Sequence, residues 1–261
     1  MKSEHADSMV GSVSAAPLLL LHGGGPGVDA LSNWRNVWGP LTDRFTCVAP
    51  DLLGFGARIP HDGLPRGPRA WSRARAHQLL ELIDEQGLDR VHLVGNSAAG
   101  GAAALALMEL APGRIGRAVL MGGAGTGPQP HTVPFYDEPT RASMRRTLAR
   151  LVADEREHPR LLDELAELRW RQALAPGAEQ AFRAMFAPGQ DGERPIDVTA
   201  TTTPVLALHG ELDRVSPVEV SERLVHGLPN GRLKVVAGAG HWIHVDRPQQ
   251  FRIEVEEFLS T

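Results

Sequence analysis

The sequence predicts an α/β fold, a largely parallel sheet with helices on both faces and an all-helical insertion. Three observations carry this expectation. Short apolar runs alternate with amphipathic helical patterns; a serine stands between one such run and an alanine-rich helix; and the stretch 125–196 interrupts the alternation with helical patterns alone.

Residues 18–21, 45–49, 91–94 and 118–121 are apolar runs bounded by Gly, Pro or Asp, which is how strands buried on both faces read. Helices are expected between them at 31–41, 70–85 and 98–110. In the second, Trp71, Leu79, Leu82 and Ile83 share one face at helical spacing. After 122–130, rich in Gly and Pro, helical patterns at 140–157, 161–173 and 178–186 follow with no strand among them. The alternation then resumes with a strand at 205–208, a helix at 218–228, a strand at 232–236 and a last helix at 247–259. Such repetition argues for parallel pairing. We therefore expect a core made of 1–124 and 197–261 and a helical lid at 125–196. The lid would sit above the carboxyl ends of the strands, where open α/β sheets take ligands.

A chain of 261 residues can bury one sizeable core and carry an insertion. Its net charge of −4 gives no general attraction to nucleic acid or to an anionic membrane. Only Lys2 and Lys234 are lysines, and the many arginines read as GC-rich codon usage rather than as an arginine-based function. Cys47 is the sole cysteine, so no intrachain disulfide can form, and its strand-like surroundings suit a core filler. Residues 1–16 hold no apolar stretch of signal-peptide length, and 18–21 is too short to span a bilayer. The expected protein is cytoplasmic, acts on a small molecule and has no nucleic-acid or membrane partner. A homo-oligomer is left open.

The segment Val91-His92-Leu93-Val94-Gly95-Asn96-Ser97-Ala98-Ala99-Gly100-Gly101 runs a buried strand into Ser97 and at once into a helix. A serine on so sharp a turn is held exposed, and the helix N-terminus favours negative charge developing there. The pattern is G-x-S-x-G with Ala99 in place of the last glycine, the least bulky replacement. Earlier in the chain, His22-Gly23-Gly24-Gly25-Pro26-Gly27 ends a strand with a glycine-rich turn. No Gly-Lys-Ser/Thr follows, which disfavours a phosphate loop. The turn suits backbone N–H groups aimed at an oxyanion, with Gly24 and Ala98 as donors.

An acid and a base follow in the order Ser, Asp, His. Asp213 lies just past one strand and His241 just past the next. A neutral imidazole can take the serine proton, and a carboxylate can hold its tautomer and its later charge. Glu211 is a competing acid, and Asp51 fits a structural loop role better. His244 follows His241 at i+3, but no further ligands complete a zinc site. Neither a metal nor an organic cofactor is expected.

Together these motifs resemble the α/β-hydrolase fold over nearly the whole chain. In finer detail the chain is similar to the meta-cleavage product hydrolases, serine enzymes that hydrolyse a carbon–carbon bond in products of aromatic ring fission. The glycine turn followed by Ser32-Asn33 resembles their oxyanion segment, Gly95-Asn96-Ser97 their nucleophile turn, and Gly240-His241-Trp242 their histidine motif. Leu168-Arg169-Trp170 resembles the lid segment whose arginine binds the substrate carboxylate. The resemblance implies Asn33, Asn96, Arg169 and Trp242 as substrate-binding residues. A planar guanidinium suits a carboxylate beside another oxygen, because its fork donates two parallel bonds. The chain departs from the family in Ala98-Ala99 and in Val215. The same triad would serve an esterase or lactonase, and the fold also hosts lyases, cyclases, cofactor-free oxygenases and receptors.

Overall fold

The computed structural model describes residues 10, 16–60, 62–125, 135–189 and 193–260. Among the described residues six strands form one sheet: β1 (Pro17–Leu21), β2 (Thr46–Val48), β3 (Val91–Asn96), β4 (Ile115–Met121), β5 (Val205–Gly210) and β6 (Gly231–Val236). Their order is β2-β1-β3-β4-β5-β6, and every neighbouring pair is parallel. Val10 adds an isolated antiparallel bridge to Cys47, which is fully buried in β2 with its thiol pushed up to about 12 by burial.

The pleat explains the continuous apolar runs. Leu19, Leu21, Leu93 and Leu120 pack on one face, under α3 (Pro68–Glu85), α4 (Ala102–Leu110) and α8 (Val218–His226). Leu18, Leu20, Val94 and Val119 pack on the other, with α1 (Ala30–Trp34), α2 (Trp38–Thr42) and α10 (Pro248–Ser260). Alternate side chains point to opposite faces, so a strand covered on both sides must be apolar throughout. Trp71, Leu79, Leu82 and Ile83 are all buried beneath α3.

The helix expected over 31–41 is two short helices instead. In a continuous helix the Pro40 ring would press on the Asn36 carbonyl. The chain turns at 35–37 and restarts, which places Pro40 in the first turn of α2. The expected helix 140–157 also stops early, as α5 (Arg141–Ala149). Backbone groups beyond it bond elsewhere: the Leu151 carbonyl accepts from the Trp242 N–H, and the Ala153 N–H donates to Asp246. Pro159 then opens α6 (Pro159–Ala173), followed by α7 (Ala178–Met185). A short helix, α9 (Ile243–Asp246), precedes α10 and was not expected.

Helices α5 and α6 share an apolar cluster of their own, Met144, Leu148, Leu162, Leu165 and Ala166, joined by Trp242 and Val245 from the loop after β6. Helix α6 presses on the glycine turn after β1, where a side chain at Gly27 would fall on the Arg169 carbonyl. The helical segment thus lies against the carboxyl ends of β1 and β6. Residues 126–134 and 190–192, which fall within the expected lid 125–196, lie outside the described residues. Among the described residues no helix is long and apolar enough to cross a membrane.

Candidate active site

Strand β3 ends at Asn96 in extended backbone, and Ser97 then turns to a φ of +54°. A residue with a Cβ is strained there by about 1–3 kcal/mol, and such strain persists only where surrounding contacts enforce it. Those contacts are visible. Residues Ser97–Gly101 form a wide π turn before α4, and a Cβ on Gly100 would fall on the Leu21 carbonyl oxygen. The close approach therefore requires glycine at 100, one position beyond the usual place. Ala99 points instead toward the glycine turn, where a Cβ on Gly24 would lie 3.2 Å from its own. That geometry accounts for alanine at position 99.

The structure brings Ser97, His241 and Asp213 together. Ser97 Oγ lies 2.8 Å from His241 Nε2, and His241 Nδ1 lies 2.7 Å from Asp213 Oδ2. Burial alone would raise the Asp213 carboxyl. The bond to His241, the charge of that ring and the N–H groups of Ser216 and Val215 outweigh it and hold Asp213 below the usual carboxylate range. The competing acid is elsewhere: Glu211 accepts from the Gly238 N–H at 2.9 Å. Asp51 accepts from the Ala30 and Ala57 N–H groups and so ties two loops. Gly122 lies so close to the imidazole that a Cβ there would be 2.5 Å from His241 Cε1.

No hydrogen bond from the Gly24 or Ala98 N–H to a described residue is present, which leaves both available to an oxyanion. The turn is braced by His22, whose Nδ1–H donates to the Gly23 carbonyl and whose Nε2 accepts from the Leu52 N–H. Burial pushes His22 down to about 4, so it stays neutral in that role.

Asn33 and Asn96 meet behind the turn. Asn33 Oδ1 accepts from the Gly23 N–H at 3.2 Å and from Asn96 Nδ2 at 2.9 Å. Asn33 Nδ2 and Asn96 Oδ1 are buried without a partner among the described residues. Arg169 is 2% exposed, stacks on the Trp242 ring at 4.9 Å, and among the described residues leaves Nε and Nη2 without partners. Burial lowers it to about 10. Its Nη1 lies 3.5 Å from the place a Cβ on Gly25 would take, so the guanidinium faces the glycine turn. His244 donates to the Asn33 carbonyl through Nε2, and its unpartnered Nδ1 adds a buried acceptor.

Two supports escaped the sequence reading. His209, at the end of β5, sits 3.5 Å from Asp213 Oδ2 and bonds Ser221 and the Ser216 carbonyl. Asp246 accepts from Gly240, Ala153 and His158, tying the histidine loop to the helical segment. A buried histidine or aspartate within an apolar run gives no sign of its partner.

A serine, an imidazole and a carboxylate in line, beside two N–H donors that no described residue occupies, can perform nucleophilic attack on a carbonyl. The chain matches the alpha/beta hydrolase family over residues 18–254. It belongs to that family. It is 37% identical over 257 residues to 2-hydroxy-6-oxo-2,4-heptadienoate hydrolase of Pseudomonas putida strain F1, covering 94% of this chain and 89% of that one. It is 35% identical over 262 residues to 2-hydroxymuconate semialdehyde hydrolase of Pseudomonas putida, with 94% and 87% covered. Among solved structures, 2-hydroxy-6-oxo-6-phenylhexa-2,4-dienoate hydrolase from Rhodococcus sp. strain RHA1 superimposes with a TM-score of 0.86 at 31% identity, over 97% of this chain and 93% of that one. The resemblance to meta-cleavage product hydrolases read from the motifs and these family relatives agree.

Proposed function

We propose that the protein hydrolyses the carbon–carbon bond of a 2-hydroxy-6-oxo dienoic acid, an aromatic ring-fission product. The supporting observation is the buried Arg169 guanidinium, which faces the glycine turn through Nη1 and, among the described residues, leaves Nε and Nη2 unpartnered, while the same turn borders Asn33 and Asn96, each with one unpartnered amide atom. Each unsatisfied buried polar group costs about 1–3 kcal/mol, and the carboxylate and 2-oxygen of such an acid would satisfy several at once. Trp242 would hold the guanidinium by stacking, and the helical segment 125–196 would act as the lid.

The chemistry follows from that grip. The 2-hydroxyl proton moves to C5, which gives the 2,6-dioxo tautomer. Ser97 Oγ attacks C6 while its proton passes to His241 Nε2, and the oxyanion is met by the N–H groups of Gly24 and Ala98. Collapse breaks the C5–C6 bond, and the electron pair spreads from C5 to the oxygen on C2. His241 returns its proton to this dienolate. Water then gives a proton to His241, attacks the acyl–Ser97 ester and releases the carboxylic acid, and His241 reprotonates Ser97. Asp213 holds the imidazole throughout.

The test compares a ring-fission dienoic ketone with a small neutral ester. Arg169→Ala should lower kcat/KM at least tenfold more for the dienoic acid, about 1.4 kcal/mol or more. Equal losses would make Arg169 a packing residue. A wild type that cleaves the ester briskly and no dienoic ketone would overturn the carbon–carbon reading.

A further inference from the structure

A second buried guanidinium approaches the same glycine turn. Arg75 sits mid-way along α3, inside the apolar stripe formed by Trp71 and Leu79, and is only 4% exposed. Its Nε donates to the Leu53 carbonyl at 3.0 Å, and Nη2 approaches Met185 Sδ, a weak acceptor, at 3.2 Å. The guanidinium carbon lies 5.1 Å from the Phe55 ring centre and 5.2 Å from that of Trp71. Among the described residues Nη1 has no hydrogen-bond partner, and no carboxylate pairs with the group. Burial pushes it down to about 9, with no neighbouring acid to hold it up. Its charge reaches His22, as does that of Arg169.

Arg75 lines a cavity of about 620 Å³ that extends to Gly24, Ala98 and Ala99. This space therefore adjoins both candidate oxyanion donors. Ala98, Ala99 and Ala102 leave room in its wall, and among the described residues the lining carries Arg69 and Arg223 besides Arg75, against one acid, Glu193. An uncompensated cation in such a space attracts an anion that can be desolvated with it.

We propose that Arg75 binds a carboxylate on the acyl side of the substrate, so that the preferred ring-fission product is a dicarboxylic acid. The inference rests on the carbon–carbon reading. With the dienoate end at Arg169 and C6 at Ser97, the group attached to C6 enters the cavity beyond Gly24, Ala98 and Ala99. A carboxylate at the end of that group meets Arg75. A guanidinium needed only to staple α3 to α7 would show no dependence on the acyl terminus.

The experiment uses two pairs of substrates. One is a pair of dienoic ketones alike except that the acyl chain ends in a carboxylate or in a methyl group. The other is the aryl monoester of succinic acid and the aryl ester of butyric acid. The wild type should prefer the carboxylate member of each pair at least tenfold in kcat/KM. Arg75→Gln should reduce that preference tenfold or more, chiefly through KM, and Arg75→Lys should restore part of it. Arg169→Ala should lower both dienoic ketones and keep their ratio. A wild type without preference, or equal losses for both members in Arg75→Gln, overturns the assignment. Should the Arg75 variants fail to fold, a wild type without preference still overturns the assignment, and Arg69→Gln and Arg223→Gln, which leave Arg75 in place, should keep the preference; its loss in either would overturn it too. If neither dienoic ketone is cleaved, the carbon–carbon reading fails, and the ester pair still reads Arg75 by itself.

Discussion

Replacing Asp213 by asparagine tests the tautomer of His241 with almost no change of shape. Asp213 Oδ1 accepts from the Val215 and Ser216 N–H groups at 2.7 and 3.0 Å. An asparagine keeps its carbonyl oxygen there, and its NH₂ takes the place of Oδ2 facing His241 Nδ1. That NH₂ can only donate, so Nδ1 must accept and the ring proton moves to Nε2. Nε2–H then donates toward Ser97 Oγ across the 2.8 Å contact and can no longer take the serine proton. The expected loss in kcat is roughly 10⁴-fold, about 5.4 kcal/mol of transition-state stabilisation, with KM changed little. Steady-state kinetics with either an ester or a dienoic ketone would read it, and Glu211→Gln serves as control because the Glu211 carboxylate is engaged by the Gly238 N–H, away from His241. A fall smaller than tenfold for Asp213→Asn, or an equal fall for Glu211→Gln, would refute the assignment of the acid.

Two further outcomes are expected. Ser97→Ala and Ser97→Gly should both lose turnover, but the glycine variant should be the more stable by about 1 kcal/mol, since only it relieves the φ of +54°; identical thermal midpoints would show that the turn is unstrained. Acid should destabilise the protein below the ordinary histidine range. Burial holds His22 down to about 4 and His244 to about 3, so between those values and about 6.5 the unfolded chain binds more protons. Stability is then complete above about pH 6.5 and falls as pH drops toward 4, by roughly 3 kcal/mol for His22 alone. A urea midpoint that stays flat from pH 6.5 to 4.5 would contradict this.

The sheet and most helices were legible in the sequence because burial on both faces forces continuous apolar runs and helix faces force a period near 3.6. The order Ser97, Asp213, His241 was legible for a related reason, since each residue lies at or within a short loop of a strand's carboxyl end and so comes to the same edge of a parallel sheet. Other features were decided only by tertiary structure. The sharp break at 35–37 had its signal in Pro40, but the early end of α5 had none, because Trp242 and Asp246 take its backbone groups from about 90 residues away. The choice between Asp213 and Glu211, two residues apart, depends on which carboxylate reaches a ring 28 positions later. Arg75 stood in the sequence as one of many arginines, although its place in the stripe between Trp71 and Leu79 was visible. Its burial with no acid partner among the described residues was not, for a charge is unpaired only with respect to neighbours that the fold supplies. Periodicity along a chain records which faces avoid water; it carries no record of which distant groups meet, and the site is made of such meetings.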